Sequence, residues 1–316
     1  MTQADRPQPG SCTARAMRLD PSHLEAYAEL LASLQGDEPS AVLERMTRRV
    51  ETGDLDLADV FVEIGPDGLH VTGSLRLFRR GPDEAVLMPW RGRDGYGTRG
   101  SITRLLMQAR RRAGEMGIRD LGTRVHDDQM TPDYEAALLD AGFGRVTRRV
   151  EYKTPLDQMA LEDTSDLVWR TMVETGEDLV LHLLRVASID SPDAVDTSVG
   201  SSAIENTLGA RYEDLDPRAI QIGYLGAEPV AILFCLATPE DGWSTIAFIG
   251  IVPTHRGRGL GLPVHRHGIA TLRALGGTTY HDGTSETNGA MMRLFARQGC
   301  VEYARMSEWH IGPPRP

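Results

Sequence analysis

With 316 residues, 41% of them hydrophobic and 25% charged, the chain has the make-up of a globular protein long enough for two domains of about 150 residues each, which excludes wholesale disorder. Its formal net charge of -11 disfavours a nucleic-acid partner, because neutralising phosphates takes clustered basic residues. No apolar run approaches the roughly 18 residues that a bilayer span requires, so no membrane partner is expected.

In chain order, the first half opens with an extended ARAMRLD, followed by the helical stretches PSHLEAYAELLASL and AVLERMTRRVE. ADVFVEIGPDGLHVTGSLRLF then alternates apolar and polar residues about Gly65-Pro66-Asp67-Gly68, the pattern of a β-hairpin with a short loop. Strand EAVLMPW, the glycine-rich RGRDGYGTRG and helix SITRLLMQARRRAGEMG come next, then strand IRDLGTRV, helix PDYEAALLDAG and strand FGRVTRRVEYK. The second half repeats this order. DLVWRTM is extended, EDLVLHLLRVA and SAIENTLGA are helical, and AIQIGYLGAEPVAILFCLAT is a hairpin. Strand STIAFIGIV runs through PTHRGRGLG into helix PVHRHGIATLRALG, and strand TTYHD, helix NGAMMRLFARQG and strand VEYARMSEWHI close the chain.

Pro253, Gly259 and Gly261 each lie 164 residues after Pro89, Gly95 and Gly97, and Gly299 lies 157 after Gly142. Element order and landmarks agree, so the chain reads as a tandem duplication. Pro155 ends the last strand of the first copy, and the expected domains are 1–157 and 158–316. Net charge is -3 before residue 160 and -8 after it, which favours a cationic or amine ligand for the second half.

Cys12, Cys235 and Cys300 are far apart in sequence and indicate neither a disulfide framework nor a structural zinc site. The first 20 residues lack the apolar stretch of a secretory leader. A cytoplasmic protein, monomeric or homodimeric, is expected.

The segment from Ile249 to Gly261 is the most informative. A buried strand, Ile249-Gly250-Ile251, ends at Pro253 and gives way to Arg256-Gly257-Arg258-Gly259-Leu260-Gly261, where a helix begins. Unbonded amides at that helix start, at the positive end of its dipole, form an anion site, and Arg256 and Arg258 add charge. A pyrophosphate suits it. The phosphate loop of nucleotide triphosphatases is excluded because no GK[ST] follows, and a dinucleotide fingerprint because Leu262 stands where glycine is needed.

Arg256-x-x-Gly259-x-Gly261 after Ile251-Val252-Pro253 resembles the central motif of the GNAT superfamily of acyl-CoA-dependent N-acetyltransferases, and Asn288 and Gly299 fit its later pattern. The resemblance covers both halves through element order, a tandem two-domain type, but only the second loop matches in full. It implies two mixed α/β domains, each a mixed sheet with flanking helices, the first degenerate and the second carrying acetyl-CoA or another acyl-CoA as co-substrate, with no metal. The amides of Gly257 to Leu262 would hold the pyrophosphate, and Ile249, Gly250 and Ile251 would bond the pantetheine and thioester. A small-molecule primary amine would then attack directly, which needs a base for the ammonium proton and an acid for the thiolate.

The sequence departs from that pattern in three places. Phe295 stands where the family often has a tyrosine acid and is expected to pack on the pantetheine. No carboxylate lies between Ser244 and Ile251, so His281 and Asp282, at the end of a strand beside the cleft, are the candidates for base, and Tyr303, Tyr280 or Ser285 for acid. His265 and His267, at i and i+2, cannot share a helix face as metal ligands. In the first half, Gly92 and Asp94 stand in register with Arg256 and Arg258, which weakens anion binding there. The alternative readings are a non-catalytic acyl-CoA-binding sensor or scaffold, and acyl-CoA chemistry other than acetylation in the same cleft.

Overall fold

The computed structural model describes residues 14–93, 97–161, 165–193, 216–239 and 242–312. The chain forms two compact units, one running to Val146 and rejoined by Ser307 onwards, the other running from Thr147 to Met306. Among the described residues no helix is long and apolar enough to cross a membrane.

The first unit contains β1 (Arg15–Arg18), α1 (Leu24–Gln35), α2 (Pro39–Glu51), β2 (Val60–Ile64), β3 (Val71–Arg79), β4 (Glu84–Gly92), α3 (Arg99–Glu115), β5 (Asp120–His126) and α4 (Pro132–Asp140). Strands β1 to β4 pair antiparallel in sequence order, and β4 pairs with β5 in parallel. Alternation sorts the side chains: Val60 and Val62 pack under α1 and α2, while Phe61 between them packs with Leu105 and Leu106 of α3. Trp309, from the end of the chain, is fully buried in the latter core.

The second unit begins with the remainder of β6 (Gly144–Pro155) and continues with β7 (Val168–Thr171), α5 (Met172–Thr175), α6 (Glu177–Ser188), β8 (Ile220–Leu225) and β9 (Glu228–Thr238). β10 (Trp243–Ile251), α7 (Gly261–Ala274), β11 (Thr279–Ser285), α8 (Gly289–Gln298) and the first half of β12 (Glu302–Ile311) complete it. The helix expected over SAIENTLGA lies outside the described residues. The hairpin β8–β9 is buried nearly throughout, with Val180, Leu183 and Leu184 of α6 and Val264, Ile269 and Leu272 of α7 in the same core.

A single cut at residue 157 therefore does not describe the division. Strand β6 from Arg149 to Pro155 pairs with β11 of the second unit, and Ser307 onwards belongs to the first. In each case strand pairing and core burial, which span long sequence distances, override the repeat boundary.

Trp90 distinguishes the first unit's glycine-rich turn. A Cβ added at Gly92 would come within 2.1 Å of its indole, one at Gly97 within 2.4 Å and one at Gly73 within 2.6 Å, so the ring occupies space that a side chain at any of the three glycines would overlap. Gly97 also has φ +90°. Gly97→Ala is expected to lower stability in urea unfolding by about 2 to 3 kcal/mol, from combined backbone strain and steric overlap.

Candidate active site

The site begins with a failure of pairing. Strands β10 and β11 are partners only at Trp243 with Thr279 and Ser244 with Tyr280. Beyond those positions β10 follows β9 as far as Ile251 and β11 follows β6 as far as Ser285, so a wedge opens between them. A register shift between Ile246 and Phe248 marks a bulge in β10 just beyond the closed end of the wedge, and a bulge bends and twists the strand that carries it.

At the wide end of the wedge, Pro253 to His255 form one 3-10 turn, and the backbone then turns through Gly257 (φ +74°) and Gly259 (φ +83°) into α7. Leu260 caps α7 without a side-chain hydrogen bond. Pro263, in the first turn, has no N–H to satisfy. Among the described residues the amides from Gly257 to Leu260 meet no acceptor, which leaves a group of donors at the positive end of a 14-residue helix.

These donors border a cavity of about 390 Å³, lined by Ile249, Gly250 and Ile251, by Arg256, Gly257 and Gly259 to Gly261, and by Asn288 with Met291 and Leu294 of α8. Ala187 and Asp190 to Pro192, at the end of α6, close another side. One end offers amides, the other aliphatic side chains and the unpaired edge of a strand.

The Arg256 side chain does not add free charge to the loop. Its Nε donates to the Ile251 carbonyl at 3.0 Å, Nη1 to Ile189 at 2.8 Å and Nη2 to Ala187 at 2.9 Å, so it ties the end of α6 to the turn. Arg258 is exposed and Leu262 half-buried, and neither lines the cavity. Asn288 caps α8, its Oδ1 accepting from the Met291 amide at 3.1 Å, and donates through Nδ2 to Asp193 at 2.8 Å. Asp193 also accepts from the Ser285 amide at 2.9 Å and from the Thr284 hydroxyl. This carboxylate, which fastens the cavity wall after α6 to β11 and α8, carries no motif signal and was missed in the sequence.

Phe295 is not a cavity residue. Its ring is fully buried, 4.4 Å from Tyr152 and 5.7 Å from His265, because the apolar face of α8 turns it into the core. His281 sits 6.3 Å from both the Trp243 and Tyr303 rings, and Tyr303 is half exposed. Asp282 accepts from the Tyr280 hydroxyl at 2.6 Å and from the Gly283 amide at 2.7 Å. Its carboxyl is pushed up to about 7 by burial. Ser285 is spent on Thr147 and Thr287. His267 stacks on Trp169 at 4.1 Å and bonds Gln221. Among the described residues no three His, Cys, Asp or Glu side chains are grouped as metal ligands would be. Asp94 lies outside the described residues.

Solved structures share this architecture. A GCN5-related N-acetyltransferase from Sphaerobacter thermophilus superposes with a TM-score of 0.67 at 17% identity, over 96% of this chain and 97% of that one. A tandem GNAT protein from the clavulanic acid biosynthesis pathway superposes with 0.55 at 16% identity, over 96% and 100%. One from Kribbella flavida gives 0.53 at 14%, over 81% and 88%. No protein-family model and no curated protein matches the sequence.

Proposed function

From a chain with the fold of the GCN5-related N-acetyltransferases, we propose an enzyme that moves an acetyl group from acetyl-CoA to the primary amine of a small molecule, at the second unit's wedge. The observation that carries this reading is the cavity in which unbonded amides from Gly257 onward meet the free edge of β10 at Ile249 to Ile251. The amides suit a pyrophosphate. The strand edge suits the amides of a pantetheine arm, and the narrowing of the wedge toward Ser244 and Tyr280 would bring a thioester to its apex. Arg256, through the three carbonyls it binds, holds the cavity wall rather than the phosphate. The acidity of the second half favours a cationic acceptor.

The first unit is read as not binding coenzyme. Its corresponding turn holds the Trp90 indole, and the Trp90 amide on β4 already donates to the Tyr134 hydroxyl at 2.8 Å. A non-catalytic acyl-CoA sensor is the second reading, favoured by the burial of Phe295 in place of a phenol and by the lack of a carboxylate on β10.

Calorimetry and thiol release test both. The expected result is one acetyl-CoA bound per chain and free thiol on addition of a primary amine. Binding without turnover across a panel of amines supports the sensor, and no binding overturns the proposal.

A further inference from the structure

Three polar side chains line up on the helix-covered face of β11. His265 of α7 and Tyr280 are both fully buried, and His265 Nε2 lies 2.9 Å from the Tyr280 hydroxyl. That hydroxyl donates onward to Asp282 at 2.6 Å. A phenol has one proton to donate, so its bond to Asp282 makes it the acceptor from His265, whose proton then sits on Nε2. This tautomer leaves Nδ1 a bare lone pair, in keeping with the absence of any partner for that buried atom among the described residues. The chain has a direction, from imidazole to phenol to carboxyl.

The chain also has an end. Tyr280 is the last residue of β11 paired with β10, so Asp282, two positions on along the same face, stands where the wedge has begun to open. It is the only one of the three with any exposure as a residue. Phe295, which packs on both His265 and Tyr280, brings no hydroxyl, so it adds no proton-bearing group to this chain.

Resting on the acetyl-transfer reading, we propose that Asp282, backed by Tyr280 and His265, carries the proton of the transfer. The amine lone pair forms the C–N bond while the carbonyl π pair moves to oxygen. When the carbonyl re-forms, the C–S bond breaks with its pair on sulfur. The protonated Asp282 carboxyl gives its proton to that sulfur and, now ionised, takes the one that nitrogen must lose, so free thiol and amide form and the carboxyl returns to its starting state. The charged and titratable groups around Asp282 are Arg149 and Glu151 on β6, Tyr280 on β11, and the thiols of Cys235 on β9 and Cys300 after α8. Burial outweighs Arg149 and keeps the carboxyl protonated into the neutral range.

The test measures thiol release from acetyl-CoA by the full-length protein at saturating amine across the pH range, and acetyl-CoA affinity by calorimetry. In the wild type, kcat is expected to fall as pH rises through about 7. Asp282→Asn should keep acetyl-CoA affinity, lose that limb and drop kcat roughly 100-fold. Tyr280→Phe should keep the limb but move it to higher pH, because the lost hydrogen bond favours the ionised carboxylate, an effect that a purely structural role would not produce. An Asp282→Asn enzyme with the wild-type limb, or within about threefold of its kcat, overturns the inference. So does a wild type that binds acetyl-CoA but releases no thiol, whereas failure to bind acetyl-CoA at all overturns the functional reading beneath it.

Discussion

Gly259→Val is expected to weaken acetyl-CoA binding at least about 100-fold while lowering stability by only about 1 to 2 kcal/mol. Gly259 has φ +83°, and a Cβ there would meet nothing within 4 Å, so the folded turn would be strained but not crowded. A β-branched residue relieves that strain by rotating the backbone out of the left-handed region. Rotation swings away the adjacent amides that converge on the cavity, so the cost falls on the ligand more than on the fold. Gly226 provides the control, since it too has a positive φ, +60°, with open space around it, but in the β8–β9 turn. Gly226→Val should show comparable strain by urea unfolding and unchanged acetyl-CoA affinity by calorimetry. Equal loss of affinity in both variants would mean that the turn at Gly259 affects binding only through general stability.

The elements that the sequence makes legible are those decided locally. Alternation about Gly65 to Gly68 and about Gly226 marks the hairpins, and Pro253 followed by Gly257 and Gly259 marks the strand's end, the turn and the start of α7. What was not legible depends on partners distant in sequence. The wedge follows from β10 and β11 sharing only two residue pairs, and no local pattern in either strand records where pairing stops. Arg256 sits in the motif as a positive charge, yet the carbonyls of Ala187, Ile189 and Ile251 make it a brace, because each of the three guanidinium nitrogens donates to a different carbonyl. Asp193 escaped notice for the same reason, and so did the chain that joins Tyr280 and Asp282, both named as candidates from the sequence, to His265. His265 and Tyr280 are 15 positions apart and meet only because α7 lies over β11.

The same buried chain makes stability depend on pH in a way that one substitution should reveal. Asp282, at about 7 in the fold against 3.8 ordinarily, holds a proton that the unfolded chain has released. Its contribution is therefore present below about pH 4 and lost as pH rises through 7. His265, held down to about 3 by burial against 6.5 ordinarily, has the opposite sign. Its contribution is present above 6.5 and lost as pH falls through 3. Each shift spans roughly three units, on the order of 4 kcal/mol. Over the shared window the two slopes oppose and nearly cancel, so this pair leaves wild-type stability almost flat between about pH 5 and pH 8. Asp282→Asn removes one slope and leaves the other. The variant should gain about 3 kcal/mol relative to wild type on going from pH 5 to pH 8, read as the difference in urea unfolding free energy at the two values. Cavity or hydrogen-bond defects would displace the variant equally at both pH values. Parallel pH profiles for the two proteins would mean that Asp282 does not hold its proton in the folded chain, and the proton-carrying role assigned to it would fall with that result.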